Sequence, residues 1–324
     1  MYVESLQRLL AQQLPEAAIR RIEGGASAQE ACAILEEAGY LDLLLAEEAQ
    51  GPGLELEQVS ELFRLLGRMG IPLPLAATWV ARRMLPRDAC PSGLIAAVSG
   101  HIDAQGRINC PRVPGGALAG HVLVAVEGEL LLVTTASAVI HETVGDPRAL
   151  AARLAWRQDD VVWRQDHGAA VLQAWLPAAT AAQMAGGLEM VLELSLTHCN
   201  QRHQFGKSIA QFQAVQHQLS VMAEHVLAAS LSAELAFGSA SSDPAWLQAA
   251  IAKARASEAS VLVCATAHAV HGAIGMTDEY ALGLYTRRLQ EWRMDHESES
   301  HWHAAIGSHV LADSRSVAEV VIGL

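Results

Sequence analysis

Three observations predict a mainly α chain interrupted by a small β segment. Apolar residues recur at helical spacing over 1–88, short apolar runs between turns fill 89–175, and long helical patterns return over 176–324. The expected layout is therefore an N-terminal helical domain (1–88), a shortened β domain (89–175) and a C-terminal helical bundle (176–324). A chain of 324 residues holds two or three such units at roughly 100–200 residues each. Hydrophobic residues make up 51% and charged ones 18%, the reverse of a disordered composition.

The elements are justified in chain order. Ser27 and Glu30 have capping-box spacing at the head of AQEACAILEEAGY, and Gly39 stops that helix. Gly51-Pro52-Gly53 is a turn. Leu54, Val59, Leu62, Phe63 and Leu66 then share a helical face, which Pro72 and Pro74 end. In the middle segment CPRVPGGALAG is expected to be a loop, carrying both Pro and Gly. HVLVAVEGELLLVTT is a hairpin about Glu127-Gly128-Glu129, and DDVVWRQ and AAVLQAW are further short runs. Pro177 interrupts the uncharged run from His167 to Leu188. In the last segment Phe212, Val215, Leu219, Met222 and Val226 step by 3, 4, 3 and 4, a bundle seam. Asp243 and Pro244 are placed to open the next helix, and Gly272 and Gly275 to break the chain after it. A shorter helix follows through Tyr280, Leu284 and Arg287.

Charge and cysteine content narrow the function. Twenty-two basic against 35 acidic residues give −13, so nucleic acid is a poor partner and any anionic ligand needs a locally basic site. Cys32, Cys90, Cys110, Cys199 and Cys264 are odd in number and form no CxxC, which points to buried free thiols and a cytoplasmic location. The two long uncharged runs, 167–188 and 259–277, are broken by proline, polar residues or histidines, so no membrane span is expected. His296, His301 and His303 in DHESESHWH invite a metal, with His296 and His303 seven apart on one helical face, but no ligand quartet emerges and none is assigned. His217 and His225 read as core-edge residues, and Cys199 beside His198 and His203 as a buried thiol.

Two stretches are more specific. Arg202-His203-Gln204-Phe205-Gly206-Lys207-Ser208-Ile209, continued by Ala210-Gln211-Phe212-Gln213-Ala214-Val215-Gln216-His217, resembles the R-x-x-F-G-K-x-I-x-x-F-Q-x-V-Q-H signature of acyl-CoA dehydrogenases. His271-Gly272-Ala273-Ile274-Gly275-Met276-Thr277-Asp278-Glu279-Tyr280, followed by Leu284-Tyr285-Thr286-Arg287-Arg288, is similar to that family's H-G-G-I-G-F-T-x-E-Y…L-Y-x-R-R segment. The turn Leu45-Ala46-Glu47-Glu48-Ala49-Gln50-Gly51-Pro52-Gly53-Leu54 resembles a worn P-E-E-x-G-G-x-G-L.

The resemblance implies a four-helix bundle at the C-terminus and an FAD site shared between subunits. Arg202 and Gln213 would reach the flavin of a neighbouring subunit, with Phe205, Gly272 and Gly275 as further cofactor contacts. The guanidinium fork suits phosphate oxygens and glycine lets backbone approach closely. Phe205-Gly206 also fits a plain helix-ending turn, and Phe212, Val215, Leu219 and Met222 fit bundle core. The implied reaction is FAD-dependent oxidation of an acyl-CoA thioester to the 2-enoyl-CoA, with a carboxylate base and an external electron acceptor. Counting from Arg287 puts His296 or Glu297 at the family's base, and Glu297 is the nearest carboxylate.

The chain also departs from the pattern. It lacks the strand motif T-E-P-x-A-G-S-D, has Ala269 where a glutamine often stands, and has no carboxylate or arginine over 178–185. These losses suggest a non-catalytic subunit that completes a partner's FAD site as the alternative to an enzyme in its own right. Such pairs are known in the family's steroid side-chain branch, which VPGGALAGHVLVA and DPRALAARLAW resemble. CoA-thioester chemistry without net oxidation is a third possibility. A homo- or hetero-oligomer of such subunits is expected throughout.

Overall fold

Five helices precede the first strand: α1 (Tyr2–Gln13), α2 (Glu16–Glu23), α3 (Gln29–Glu37), α4 (Leu56–Arg68) and α5 (Leu75–Met84). The computed structural model describes residues 2–146, 148, 150–238, 241–315 and 319. Two of the quoted residues, Pro147 and Ala149 of DPRALAARLAW, lie outside them. The chain forms two units, Met1–Leu62 with Ile71–Ala179, and Phe63–Gly70 with Thr180–Leu324.

The capping box expected at Ser27 and Glu30 does not form. Ala28 is the N-cap of α3 without a side-chain bond, and Ser27 Oγ instead accepts from Gln29 N at 3.2 Å. The hydroxyl sits one residue too early to reach the third helical amide, so it closes a local turn. Gly39 does stop this helix: the amides of Gly39 and Tyr40 donate back to the carbonyls of Glu36 and Leu35. Helix α4 ends at Arg68, before its prolines, with Gly70 at φ +60°.

In the first unit two four-stranded sheets pack face to face. One has the order β1 (Ile95–Ser99), β4 (His121–Val126), β5 (Glu129–Thr134), β8 (Val161–Gln165), with β1 parallel to β4 and the other pairs antiparallel. The other runs β2 (His101–Ile102), β3 (Ile108–Val113), β7 (Ala152–Trp156), β6 (Ile140–Thr143), all antiparallel. The expected hairpin is β4–β5, turning on Glu127 and Gly128, both at positive φ. Val122, Val124, Leu131, Val133, Ile108, Leu154 and Trp156 fill the space between the sheets. Residues 122–126 are buried on both faces of their strand, which is why they read as an unbroken apolar run.

Two expectations for this region are corrected. Cys110-Pro111-Arg112-Val113 belongs to β3 and not to a loop; the β3–β7 register shifts between Cys110 and Val113, and such an irregularity accommodates a proline that cannot donate. AAVLQAW opens a helix and not a strand: α6 (Ala169–Gln201) starts there and runs through Pro177 without interruption. A short apolar run bounded by a glycine fits a buried helix as well as a strand.

The second unit is a helical bundle, and the fold is mainly helical as expected. After α6 come a small hairpin, β9 (His203–Gln204) and β10 (Lys207–Ser208), then α7 (Gln213–Ala236), α8 (Trp246–His271), a 3-10 turn (Gly272–Met276), α9 (Leu282–Met294) and α10 (Glu299–Ala312). Leu219, Met222 and Val226 of the expected seam are buried between helices. Helix α8 begins two residues after Pro244, with Ala245 as N-cap and no side-chain bond; Asp243 N instead donates to Ser241 Oγ at 3.3 Å. Helices α7 and α8 (the latter with its 3-10 extension to Met276) have the length and apolar composition of membrane spans, a property that core helices of soluble bundles share.

Backbone contact sets the crossing of α4 over α6. A Cβ on Gly67 would lie 1.8 Å from Gln183 O, and one on Gly186 would lie 2.0 Å from Arg64 O. At such distances only glycine fits, and the clash cannot be relieved by a side-chain rotation. Arg64 and Arg68 reinforce the crossing through Glu189, which also accepts from Ser230 Oγ at 2.8 Å. Gly186→Ala is expected to destabilise the protein by about 1–3 kcal/mol. Gly307→Ala, at a helical position with nothing near its Cβ, is expected to be neutral or stabilising by up to ~1 kcal/mol. Urea unfolding midpoints of the two variants check both signs.

Candidate functional site

The two signature stretches meet at one end of the bundle. His198, on the last turn of α6, stacks on His271, the last residue of α8, with ring centroids 4.4 Å apart. Tyr280 packs against both rings, at 5.1 Å from His271 and 6.2 Å from His198. Arg202 N donates to His198 O at 2.8 Å, so the stack fixes where Arg202 leaves the helix. On the other side, His271 is followed directly by Gly272, at φ +64°.

The hairpin after Arg202 is pinned back to α6. Ser208 Oγ donates to Cys199 O at 3.0 Å, and Ile209 N donates to Arg202 O at 2.8 Å. The hairpin turns on Phe205 (φ +54°) and Gly206 (φ +81°), so the alternative of a helix-ending turn is set aside. Phe205 is 92% exposed at the tip. Its ring meets Phe212 edge-on at 6.3 Å, and Lys207 Nζ lies 4.3 Å above the Phe212 ring. Gln213 is exposed at the start of α7.

Arg202 is exposed and makes no ion pair among the described residues. In a chain of net charge −13 that leaves a cation open to an anionic ligand. The position a Cβ would take on Gly272 faces open space. Gly275 differs: a Cβ there would fall 2.8 Å from His271 Cβ and 3.1 Å from Leu282 Cδ2, so this glycine also serves packing within the bundle.

Histidines missed from the sequence complete this end. His271 Nδ1 lies 2.7 Å from Ala267 O and so carries the proton, leaving a buried Nε2 that makes no hydrogen bond within 3.5 Å among the described residues. His268 Nε2 contacts Thr286 Oγ1 at 3.0 Å. Burial holds the His271 imidazole below its ordinary pKa, and His198 and His268 add to that. Burial, then the charge of Arg202, does the same for His198. The spacing of His268 and His271, three residues apart before a glycine, was the legible signal.

Glu297 lies at the other end of α9, in the turn before α10. His296 (φ +53°) and Glu297 (φ +75°) are consecutive left-handed residues that are not glycine, a conformation that costs ~1–2 kcal/mol each. His296 thus stands outside α10, and the helical face proposed for His296 and His303 does not exist. Among the described residues no group of three or more metal-ligating side chains converges. The Glu297 carboxylate is 64% exposed, with His301 Nδ1 at 4.0 Å. The turn around it is tightly held: Trp302 Nε1 donates to His296 O at 3.0 Å, Arg293 Nε donates to Glu299 Oε2 at 2.9 Å, and a second contact of that pair runs from Arg293 Nη2 to Glu299 Oε1. Beneath it lies Lys253, fully buried, whose pKa burial pushes down to about 8.

Comparison with known proteins shows the family. The model of the acyl-CoA dehydrogenase C-terminal domain matches residues 175–293. A relative described as "Acyl-CoA dehydrogenase IpdE2" from Mycobacterium tuberculosis is 31% identical over 257 residues, 79% of this chain and 78% of that protein. The chain belongs to the acyl-CoA dehydrogenase family. The ChsE4-ChsE5 complex from Mycobacterium tuberculosis has a chain of the same fold, with a TM-score of 0.82 at 18% identity over 97% of both chains. A steroid acyl-CoA dehydrogenase variant, Tcur3481-Tcur3483, gives 0.80 at 23% identity over 96% of this chain and 98% of that one. Members of the acyl-CoA dehydrogenase family bind FAD. The open guanidinium of Arg202, the unfilled space at Gly272 and the exposed Phe205 ring fit one edge of such a dinucleotide: a cation for its diphosphate, close backbone, and an aromatic face.

The histidine stack gives a pH prediction. The folded pKa of His271 lies below its unfolded value of ~6.5. Between the two values the unfolded chain binds a proton that the folded chain refuses. Stability therefore falls as pH drops below ~6.5, and the loss is complete below the folded pKa. His271→Phe is expected to flatten this part of the profile, read as melting temperature between about pH 5 and 7.

Proposed function

We propose that the chain is a subunit of a flavin-dependent acyl-CoA dehydrogenase that oxidises an acyl-CoA thioester to the 2-enoyl-CoA and passes electrons to an external acceptor. The observation that carries this reading is the junction of the Arg202 hairpin with the Gly272 turn through the His198–His271 stack. In this reading Arg202 binds the FAD diphosphate, Phe205 and Gln213 line the dinucleotide, and the Gly272–Met276 turn lets backbone approach it. FAD, when bound, supplies the hydride acceptor. Glu297 takes the α-proton of the thioester, and bound substrate supplies the desolvation that its exposed carboxylate lacks in the free chain.

The reading includes an oligomer. Leu227, Leu231 and Leu235 form a stripe on α7 at four-residue spacing, 60%, 50% and 68% exposed. Such a stripe of large apolar side chains marks an interaction surface. The partner is a second acyl-CoA dehydrogenase-like subunit, the same or different. The free thiols, four of the five buried, fit a cytoplasmic setting.

A second reading is that the chain completes a partner's FAD site and leaves proton abstraction to that partner. The exposed Glu297 carboxylate and the two-component name of the ChsE4-ChsE5 complex favour it. Two variants of the purified assembly test these readings: the first tests the flavin edge they share, and the second separates them. Arg202→Ala is expected to weaken FAD binding by about 10–100-fold, the value of a charge-assisted contact, measured by flavin fluorescence; unchanged affinity would remove the flavin edge from the account. Glu297→Gln is expected to lower acyl-CoA-dependent dye reduction by at least ~100-fold. Full turnover with bound flavin would leave the non-catalytic reading standing.

A further inference from the structure

We propose that Lys253 is a positioning residue for the turn that carries Glu297, holding that turn through the carbonyls at its two ends. This rests on the reading of Glu297 as the base. Lys253 lies in the first third of α8, within an alanine-rich stretch, and is 0% exposed. Its Nζ has three acceptors, each at 3.0 Å: Ser257 Oγ on the same helix, Arg293 O and Glu297 O. An ammonium has three donors, so every one is used.

The two carbonyls define the role. Arg293 O belongs to the last turn of α9, where helical carbonyls lack intrahelical partners and a cation is favoured. Capping that helix, however, does not require a bond to Glu297. The bond to Glu297 O falls four residues further on, at the second of the two left-handed residues. It fixes the peptide from which the Glu297 side chain departs. Trp302 holds the preceding carbonyl, that of His296, and the Arg293–Glu299 pair closes the outside. A backbone pair that glycine would adopt freely is thus held in a chain position occupied by histidine and glutamate. Strained residues fixed from several sides are a mark of sites where one side-chain direction matters. Ser257 orients the ammonium from its own helix, and Asp295 and Glu299 favour its charged form.

The test is made on the purified assembly with wild type, Lys253→Met, Ser257→Ala and Glu297→Gln. Amide hydrogen exchange is read at 295–299 and, as an internal control, along α7. Turnover is read by dye reduction with a panel of straight-chain, branched and steroid side-chain acyl-CoA thioesters. Lys253→Met is expected to lower protection at 295–299 by at least tenfold with α7 unchanged, and to lower kcat by ten- to a hundredfold with KM within about twofold. Unchanged protection and kcat, or an equal loss of protection along α7, overturns the proposal. If Lys253→Met does not fold, Ser257→Ala is read in the same way, with a threefold local loss expected and no local loss overturning it. If Glu297→Gln keeps full turnover or no thioester is oxidised, the base reading fails by itself. The hold of Lys253 on the turn then stands on a local loss of protection and falls on its absence.

Discussion

The stack of His198 on His271 is the contact on which the site depends. It joins the ends of two long helices that are distant in sequence, and each end carries one signature stretch. Arg202 follows His198 by one helical turn, and Gly272 follows His271 directly. Burial lowers the pKa of both imidazoles and so favours the neutral form, in which two rings stack without charge repulsion. Arg202 leaves a fixed positive charge exposed at this end.

Beneath it, α6 is packed closely against α4. Glycine on both sides of the α4–α6 crossing brings backbones into contact, and Glu189 gathers Arg64, Arg68 and Ser230 around it. At the far end of α9 a buried lysine and a tryptophan hold a strained turn. Ordinary packing explains most of the interior. It does not explain an exposed phenylalanine on a hairpin tip, an exposed leucine stripe, or two left-handed residues in sequence. Those three features are where the chain spends stability without an evident return in its own fold.

Much of this was legible in the sequence because it rests on local chemistry. The β4–β5 hairpin follows from Glu-Gly between apolar runs, and the α7 seam from its 3–4 spacing. The Arg202 and Gly272 motifs were each readable as local patterns, and they meet at one end of the bundle. What was illegible depends on tertiary contact. AAVLQAW has the length of a strand, and only its continuation through Pro177 makes it a helix. Pro111 sits in a strand because the register shifts around it. Nothing in the sequence marked Lys253, because its partners are backbone carbonyls some forty residues away, at 293 and 297. The pairing of His198 with His271 was illegible for the same reason: the two stand on different helices.

The central claim is that this chain presents one edge of a flavin site to a neighbouring subunit. Sedimentation of the assembly purified from its native host, followed at once by protein absorbance and by the visible flavin band, tests it most directly. The account predicts that the flavin band travels only with species of two or more chains and is absent from dissociated monomer. Flavin that stays with the monomer, or an intact assembly that takes up no FAD, would contradict it.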